Sequence, residues 1–228
     1  MKDEPVLQRL RRSFANAAGT IVFGMEDGTV SIFGLIFGVA ATTSDTKTVL
    51  IAGASGAAAA AVSMMAGAYL DVETTRDEAK AARASLDEGA ENLTSLSSRL
   101  AGAGLSSEQS AALTAAVRDD PEALRGLLLA LQGAAPSSPN PWEQALWMLA
   151  ADFLAAAVPI LPFVFLPILQ ARIVSGAVTL ALLVALGVGR ARIAKGRVIR
   201  TVTETVSIGV AAAFAGVGIG MLVDRLFA

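Results

Sequence analysis

Five predominantly apolar blocks run along the chain, and polar segments of very unequal length separate them. A helix needs about 20 apolar residues to cross the hydrocarbon core of a bilayer, and the blocks approach or exceed that length. We predict spans over residues 19–41, 48–70, 140–169, 173–188 and 202–223. The predicted fold class is all-α: a polytopic membrane protein with five transmembrane helices and a cytosolic three-helix insert between spans two and three.

The segments outside the spans complete the predicted organisation. Residues 1–16 combine Lys2, Arg9, Arg11 and Arg12 with apolar residues at helical spacing, which indicates an amphipathic cytosolic helix on an anionic membrane surface. Transmembrane helices 1 and 2 then occupy residues 17–70, the insert residues 71–139, and transmembrane helices 3 to 5 residues 140–228.

Three helices are predicted within the insert. The first is a long amphipathic helix from Asp71 to Leu100, the second starts near Ser106, and the third starts at Pro121 after a pair of acids. A linker rich in proline and serine follows at residues 133–139. Asn140 and the residues after it are predicted to cap the start of span three.

The composition supports a membrane protein and restricts its chemistry. Hydrophobic residues make up 54% of the chain and charged residues 17%, whereas soluble domains have about 45–50% and about 25%. There is no cysteine and no histidine. Thiolate and imidazole ligands are therefore excluded, so a metal site has to use carboxylates, methionine sulfur, hydroxyls or carbonyls. Any coupled proton has to move through Asp or Glu.

The distribution of basic residues predicts the orientation of the spans. Residues 190–200 hold five bases and no acid, and residues 1–16 hold four further bases. The opposite loops offer only Lys47 and Arg172. Because cytoplasmic loops carry the excess of Lys and Arg, we expect the N-terminus and the insert in the cytoplasm and the C-terminus outside. The alanine-rich composition favours a bacterial inner (plasma) membrane.

Apart from Glu143 in the first turn of span three, four acids fall within the predicted spans, namely Glu26, Asp27, Asp152 and Glu204. A carboxylate in hydrocarbon costs at least about 2–3 kcal/mol, so it requires water, a partner or a function. A helical rise of about 1.5 Å per residue places all four, together with Met64, in one layer of the cytoplasmic half of the bilayer. Such a layer is typical of a cation vestibule.

Each of these acids also has a structural interpretation. Glu204 can pair with Arg200 one turn earlier, and Asp152 can be a hydrogen-bonding acid between helices. Glu26 and Asp27 are adjacent and point to different faces, so only one of them is expected to face a pathway. Small residues four apart form either intrachain helix contacts or a dimer seam; these pairs are Gly24 and Gly28, Gly34 and Gly38, Ser63 and Gly67, and Gly216 and Gly220.

Three motifs resemble the vacuolar iron transporter family. Span one contains Gly24-Met-Glu-Asp-Gly28 followed by an apolar stretch and a late glycine, similar to the first-helix signature of that family. Span two ends in Val62-Ser-Met-Met-Ala-Gly67, and span three contains Pro159-Ile-Leu-Pro162, both of which are similar to family motifs. The order of five spans with an insert after the second also matches.

The resemblance implies a function. Members of this family are homodimers that exchange cytosolic Fe²⁺, and often Mn²⁺, for protons along a pathway at the dimer interface. It implies that Asp27 is the transport carboxylate and Met64 the thioether ligand. The predicted layer of acids adds Glu26 and Asp152 as further metal-site candidates and Glu204 as a weaker one. The resemblance also implies a lipid bilayer, a second copy of the chain and a divalent metal ion as partners, with no nucleic acid, no permanently bound cofactor and no enzymatic activity.

The insert departs from the family pattern. Leu128, Leu129 and Gln132 stand where the family has two methionines and a glutamate that bind metal. The first insert helix keeps the weaker candidates Glu73, Asp77, Glu88 and Glu91, but bases are interleaved with them, which is typical of a solvated face. The alternative hypothesis is therefore a non-transporting membrane protein whose cytosolic insert binds a partner.

Overall fold

The chain is all-helical where the computed structural model describes it, at residues 6–87, 92–131 and 140–227. In chain order, the helices are α1 (Val6–Asn16), α2 (Ala18–Thr42), α3 (Thr46–Asp87), α4 (Asn92–Gly102), α5 (Ser107–Ala116), α6 (Pro121–Leu131), α7 (Pro141–Phe165), α8 (Ile168–Ile193) and α9 (Val198–Phe227). The chain divides into two compact units. We call residues 1–70 and 140–228 the membrane unit, and residues 71–139 the insert.

Among the described residues, five helices are long and apolar enough to cross a membrane, as predicted: α2, the apolar part of α3, α7, α8 and α9. Large apolar side chains on them remain exposed, among them Phe153 on α7 and Phe214 on α9. A soluble domain of this size buries most such residues, whereas lipid tails solvate them in a bilayer. The exposed apolar surface therefore agrees with five membrane spans.

The helix boundary predicted at Asp71 is wrong, although the two compact units do divide between Leu70 and Asp71. Helix α3 continues without a break from Thr46 through Asp71 to Asp87, and α4 begins at Asn92, after residues 88–91, which are not described. Polarity changes at Asp71, but neither proline nor glycine follows before Asp87 to interrupt the helix. Span two and the start of the insert are therefore one helix.

Proline decides where α7 ends. The predicted boundary between spans three and four lay between residues 169 and 173, but α7 ends at Phe165 and Pro167 caps α8. A proline disfavours helical geometry at the residue before it, which is Leu166 here. Pro159 and Pro162 lie inside α7. In this segment Ser175 of α8 donates a hydrogen bond of 2.8 Å to the carbonyl of Pro159, which ties α8 to α7.

Helix α2 is the centre of the membrane unit. Its buried residues Ile32 and Ile36 pack with Val49 of α3, Ala156 of α7 and Ala171 of α8 in one apolar core. A Cβ on Gly24 or Gly28 would contact Met148 or Asp152 of α7. Because its small residues let neighbouring backbones approach closely, α2 is held on several sides, and its polar side chains are positioned by them.

Both ends of the short α2–α3 connection are fixed by polar groups. The Arg172 guanidinium of α8 donates to the carbonyls of Ala40 and Thr43 at the C-terminal end of α2, where a cation is favourable. Asp45 caps α3 and accepts a hydrogen bond of 2.6 Å from the Thr48 hydroxyl and further bonds from the backbone N–H groups of Lys47 and Thr48. These bonds, that of the Thr48 hydroxyl foremost, lower the pKa of Asp45.

The insert has its own small apolar core. Leu96 and Leu100 of α4 pack with Leu124 and Leu128 of α6. Helix α5 begins with a capping box in which Ser106 and Gln109 exchange hydrogen bonds, in agreement with the predicted start. The predicted linker at residues 133–139 lies outside the described residues.

Candidate metal site

Glu26 links three helices near the start of α2. Its Oε1 atom accepts a hydrogen bond of 2.6 Å from the Thr205 hydroxyl of α9. The same oxygen accepts one of 3.2 Å from the Arg190 guanidinium of α8. The Glu26 side chain is only 13% exposed, so the ion pair is partly shielded from solvent. A metal ion at Glu26 would have to compete with Arg190 for the carboxylate.

We expect Thr205→Val to lower the free energy of unfolding of the detergent-solubilised protein by about 1–3 kcal/mol, because it removes a buried donor. Thr205 is fully buried, and valine keeps its shape. Thr203→Val is the matched control, since the Thr203 hydroxyl is exposed and bonds only its own helix, at the Ile199 carbonyl. Equal losses in the two variants would contradict a specific role for the Thr205–Glu26 bond.

Asp27 follows Glu26 on α2 but has no ion pair. It is half-buried and lines a cleft of about 360 Å³, together with Phe23, Glu26, Arg190 and Ile208. Within the described residues, neither a hydrogen bond nor an ion pair engages its carboxylate. Both adjacent acids therefore border the same cleft, but only the carboxylate of Asp27 is left unpaired there.

Met64 lies at the same depth as Asp27, as the packing of α3 against α2 indicates. Gly56 of α3 is packed against the Leu35 side chain, and a Cβ on Gly53 would lie 3.1 Å from Ile36. The two helices run antiparallel, and Met64 is eight residues after Gly56, as Asp27 is eight residues before Leu35. Met64 and Asp27 are thus each about 12 Å along their own helices from the contact between Gly56 and Leu35. Met64 and Asp27 are both half-buried.

Asp152 is fully buried between α7 and α2. A Cβ on Gly28 would lie 2.9 Å from its Oδ1 atom, so the carboxyl group rests against the α2 backbone. Neither of its oxygens has a hydrogen-bond partner among the described residues. The hydrogen-bonding interpretation of Asp152 therefore finds no support, although its position between helices is as expected.

The remaining candidates are ion-paired or undescribed. Glu204 bonds Arg200 at 2.8 Å, which confirms the predicted pairing. In the insert, Glu73 lies 3.7 Å from Arg76, and Asp77 lies 2.8 Å from Lys80. Glu88 and Glu91 lie outside the described residues, as does Gln132.

The described parts of the chain contain no group of three acids close enough to hold a metal ion. The predicted layer therefore does not form a carboxylate cluster within one protomer. The sequence-based prediction also missed Arg190 and Thr205 as the partners of Glu26. Arg190 was counted only as part of the basic loop, and pairing across some 160 positions leaves no periodic signal in a single sequence.

The comparisons with known proteins agree with these motifs. The "Vacuolar iron transporter" of Centaurea cyanus is 26% identical over 170 residues, which are 69% of this chain and 67% of that protein. "Vacuolar iron transporter 1" of Eucalyptus grandis is 25% identical over 169 residues, which are 69% of this chain and 66% of that protein. The sequence model of the VIT family matches residues 18–221, which cover the five candidate membrane spans except the last six residues of α9. The chain therefore belongs to the VIT family, the family of the vacuolar iron transporters.

Proposed function

We propose that this protein is a divalent metal transporter that moves Fe²⁺, or Mn²⁺, out of the cytoplasm in exchange for protons. One observation carries the proposal: the unpaired carboxylate of Asp27 lies at the same membrane depth as the Met64 thioether, in a chain of the VIT family. A carboxylate without a partner is costly in a span and is retained for function.

The Asp27 carboxylate and the Met64 thioether are suitable ligands for Fe²⁺ and Mn²⁺. A carboxylate supplies negative charge, and a soft sulfur favours Fe²⁺ or Mn²⁺ over the hard ions Mg²⁺ and Ca²⁺. Asp152 rests against Gly28, the residue after Asp27. Two interacting carboxyl groups allow one to hold a proton while the other is ionised, which is a means of coupling protons to metal.

A homodimer would complete the site. One protomer contributes one carboxylate and one thioether, which is fewer ligands than a transition-metal ion takes. Three of the four small-residue pairs lie at contacts within the chain: Gly24 with Gly28 faces α7, and Gly34 with Gly38 faces Gly216 with Gly220 of α9. Ser63 is exposed, and a Cβ on Gly67 would meet nothing within 4 Å. This face of α3 is therefore our proposed dimer seam, with Asp27 and Met64 of both copies beside it.

The orientation and the membrane are parts of the same proposal. The positive-inside rule supports a cytoplasmic N-terminus, insert and α8–α9 loop, and an external C-terminus. The named relatives are vacuolar proteins of plants, whereas the composition of this chain favours a bacterial inner membrane. In both settings, metal leaves the cytoplasm.

The insert receives a lesser role in this proposal. Leu128 stands at a position where the family binds metal, and it is fully buried in the insert core. Glu73 and Asp77 are already paired with bases. We propose that transport depends on the spans, and that the insert acids at most attract metal ions.

The test is a flux assay on the protein reconstituted in liposomes, with one dye for internal metal and one for internal pH. We expect Fe²⁺ and Mn²⁺ to enter while protons leave, with Zn²⁺ and Co²⁺ as competitors that rank the preference. Empty liposomes are the control. Metal flux without proton flux would refute the exchange, and no flux of any divalent ion would favour the partner-binding alternative.

A further inference from the structure

Helix α1 carries an apolar face that the protein does not cover. Leu7, Leu10 and Phe14 are spaced three and four residues apart, so they lie on one side of the helix. They are 75%, 52% and 51% exposed, respectively. The helix sequence also contains three arginines and no acid. A short helix with this division of residues is typical of a membrane interface.

The side of α1 next to α7 is docked. The Trp147 indole N–H donates a hydrogen bond of 2.7 Å to the Ser13 hydroxyl. The Phe14 and Trp147 rings meet edge to face with their centroids 5.5 Å apart. Ala17, which follows α1, is fully buried. The position of α1 is therefore set by contacts with the bundle.

This docking places α1 at the level of the lipid headgroups. Trp142, in the first turn of α7, is exposed and packs against Tyr69 with ring centroids 4.9 Å apart. Trp and Tyr concentrate at the membrane–water interface. Trp147 is five residues further along α7, so it lies about 7.5 Å deeper. The C-terminal end of α1 therefore meets the bundle just beneath the headgroups, where the exposed part of Phe14 faces acyl chains.

The charge of α1 selects the kind of lipid. Arg11 and Arg12 are exposed on the helix. Basic residues at a membrane surface are attracted to anionic headgroups. We propose that α1 is an anionic-lipid-binding element, with Leu7, Leu10 and Phe14 in the acyl boundary and Arg11 and Arg12 on the headgroups of the leaflet from which α2 and α7 start. This inference does not depend on transport.

Because the chain has no cysteine, single spin labels can test the proposal on the full-length protein in vesicles. Leu7→Cys and Leu10→Cys place labels on the apolar face, and Gln8→Cys and Asn16→Cys place control labels on the opposite face. In vesicles of equal parts phosphatidylglycerol and phosphatidylcholine, we expect the ratio of oxygen to nickel-chelate collisions to be several-fold higher at the first pair than at the second.

Lipid charge is tested by two further samples. Vesicles of phosphatidylcholine alone, and the Arg11→Gln/Arg12→Gln double variant in the mixed vesicles, should both lower the ratio at Leu7→Cys and Leu10→Cys. A ratio unchanged by both would overturn the anionic preference. Lipid binding itself would be overturned if labels at these positions met the nickel chelate as freely as the control labels do. It would also be overturned if they were shielded from both oxygen and the nickel chelate, as in a protein contact.

Discussion

Gly216→Val is expected to lower the free energy of unfolding by about 3 kcal/mol or more, because the α2–α9 crossing has no room for a side chain. A Cβ on Gly216 would collide with the carbonyl oxygen of Gly34. One turn along, a Cβ on Gly220 would lie 2.5 Å from the carbonyl of Gly38, and one on Gly38 would lie 2.6 Å from the carbonyl of Gly216. These neighbours are backbone atoms and cannot rotate away. Denaturant titration of the detergent-solubilised protein measures the loss.

Gly218→Val is the matched control for this substitution. Gly218 lies on the same helix two residues later, and a Cβ there would meet nothing within 4 Å. We expect a change within about 0.5 kcal/mol, as for substitutions that disturb no contact. If the two variants unfold alike, helix propensity and not the α2–α9 contact determines the effect. Since α2 carries Asp27, loss of this crossing should also reduce transport.

Asp27→Asn is expected to reduce the initial rate of Fe²⁺ flux by about 100-fold at low metal concentration. Disturbing even a group that only supports a metal ligand costs about 10–100-fold in affinity or activity, and this change removes the charge of the ligand itself. Asparagine keeps the size of the side chain, so the fold should be preserved. The flux assay in liposomes measures the rate, and proton release should fall in parallel.

Asp224→Asn provides the control. Asp224 is exposed near the end of α9, and this substitution removes the same charge at a position far along the chain from the candidate site. Its Fe²⁺ flux should remain close to that of the wild type. Undiminished flux through Asp27→Asn would remove Asp27 from the transport site.

Met64→Leu keeps the volume of the side chain but removes the thioether. It should weaken the preference for Fe²⁺ over Mg²⁺ more than it lowers the rate of Fe²⁺ flux.

Much of the fold could be predicted because its signals are local. An apolar stretch of about 20 residues indicates a membrane span wherever it occurs in the chain. Capping residues such as Ser106 likewise act on their own helix. The two boundaries that were wrong depend on competing local effects. At Asp71 the polarity changes but helix propensity does not, and at Pro167 the backbone restriction overrides an apolar pattern that continues through it.

The candidate site could be predicted only in part. Asp27 and Met64 are conspicuous in the sequence as polar or soft groups within apolar motifs, and they remain the proposed site. The pairing of Glu204 with Arg200 could be predicted, but which partners Glu26 and Asp152 have could not. Glu26 has two partners from distant helices, whereas Asp152 has no hydrogen-bond partner among the described residues. These differences depend on which side of a helix faces which neighbour.

By itself, the sequence determined that this chain has five segments long and apolar enough to cross a membrane, that its site has neither thiolate nor imidazole, and that Asp27 belongs to a family motif. Length, polarity and residue type are sufficient for these conclusions, because each acts within a single helix. Only the tertiary structure decided that Arg190 and Thr205 engage Glu26 and leave Asp27 unpaired, and that glycines join α2 to α9. The physical reason is that such contacts depend on helix rotation and approach, which the packing of all the spans sets together.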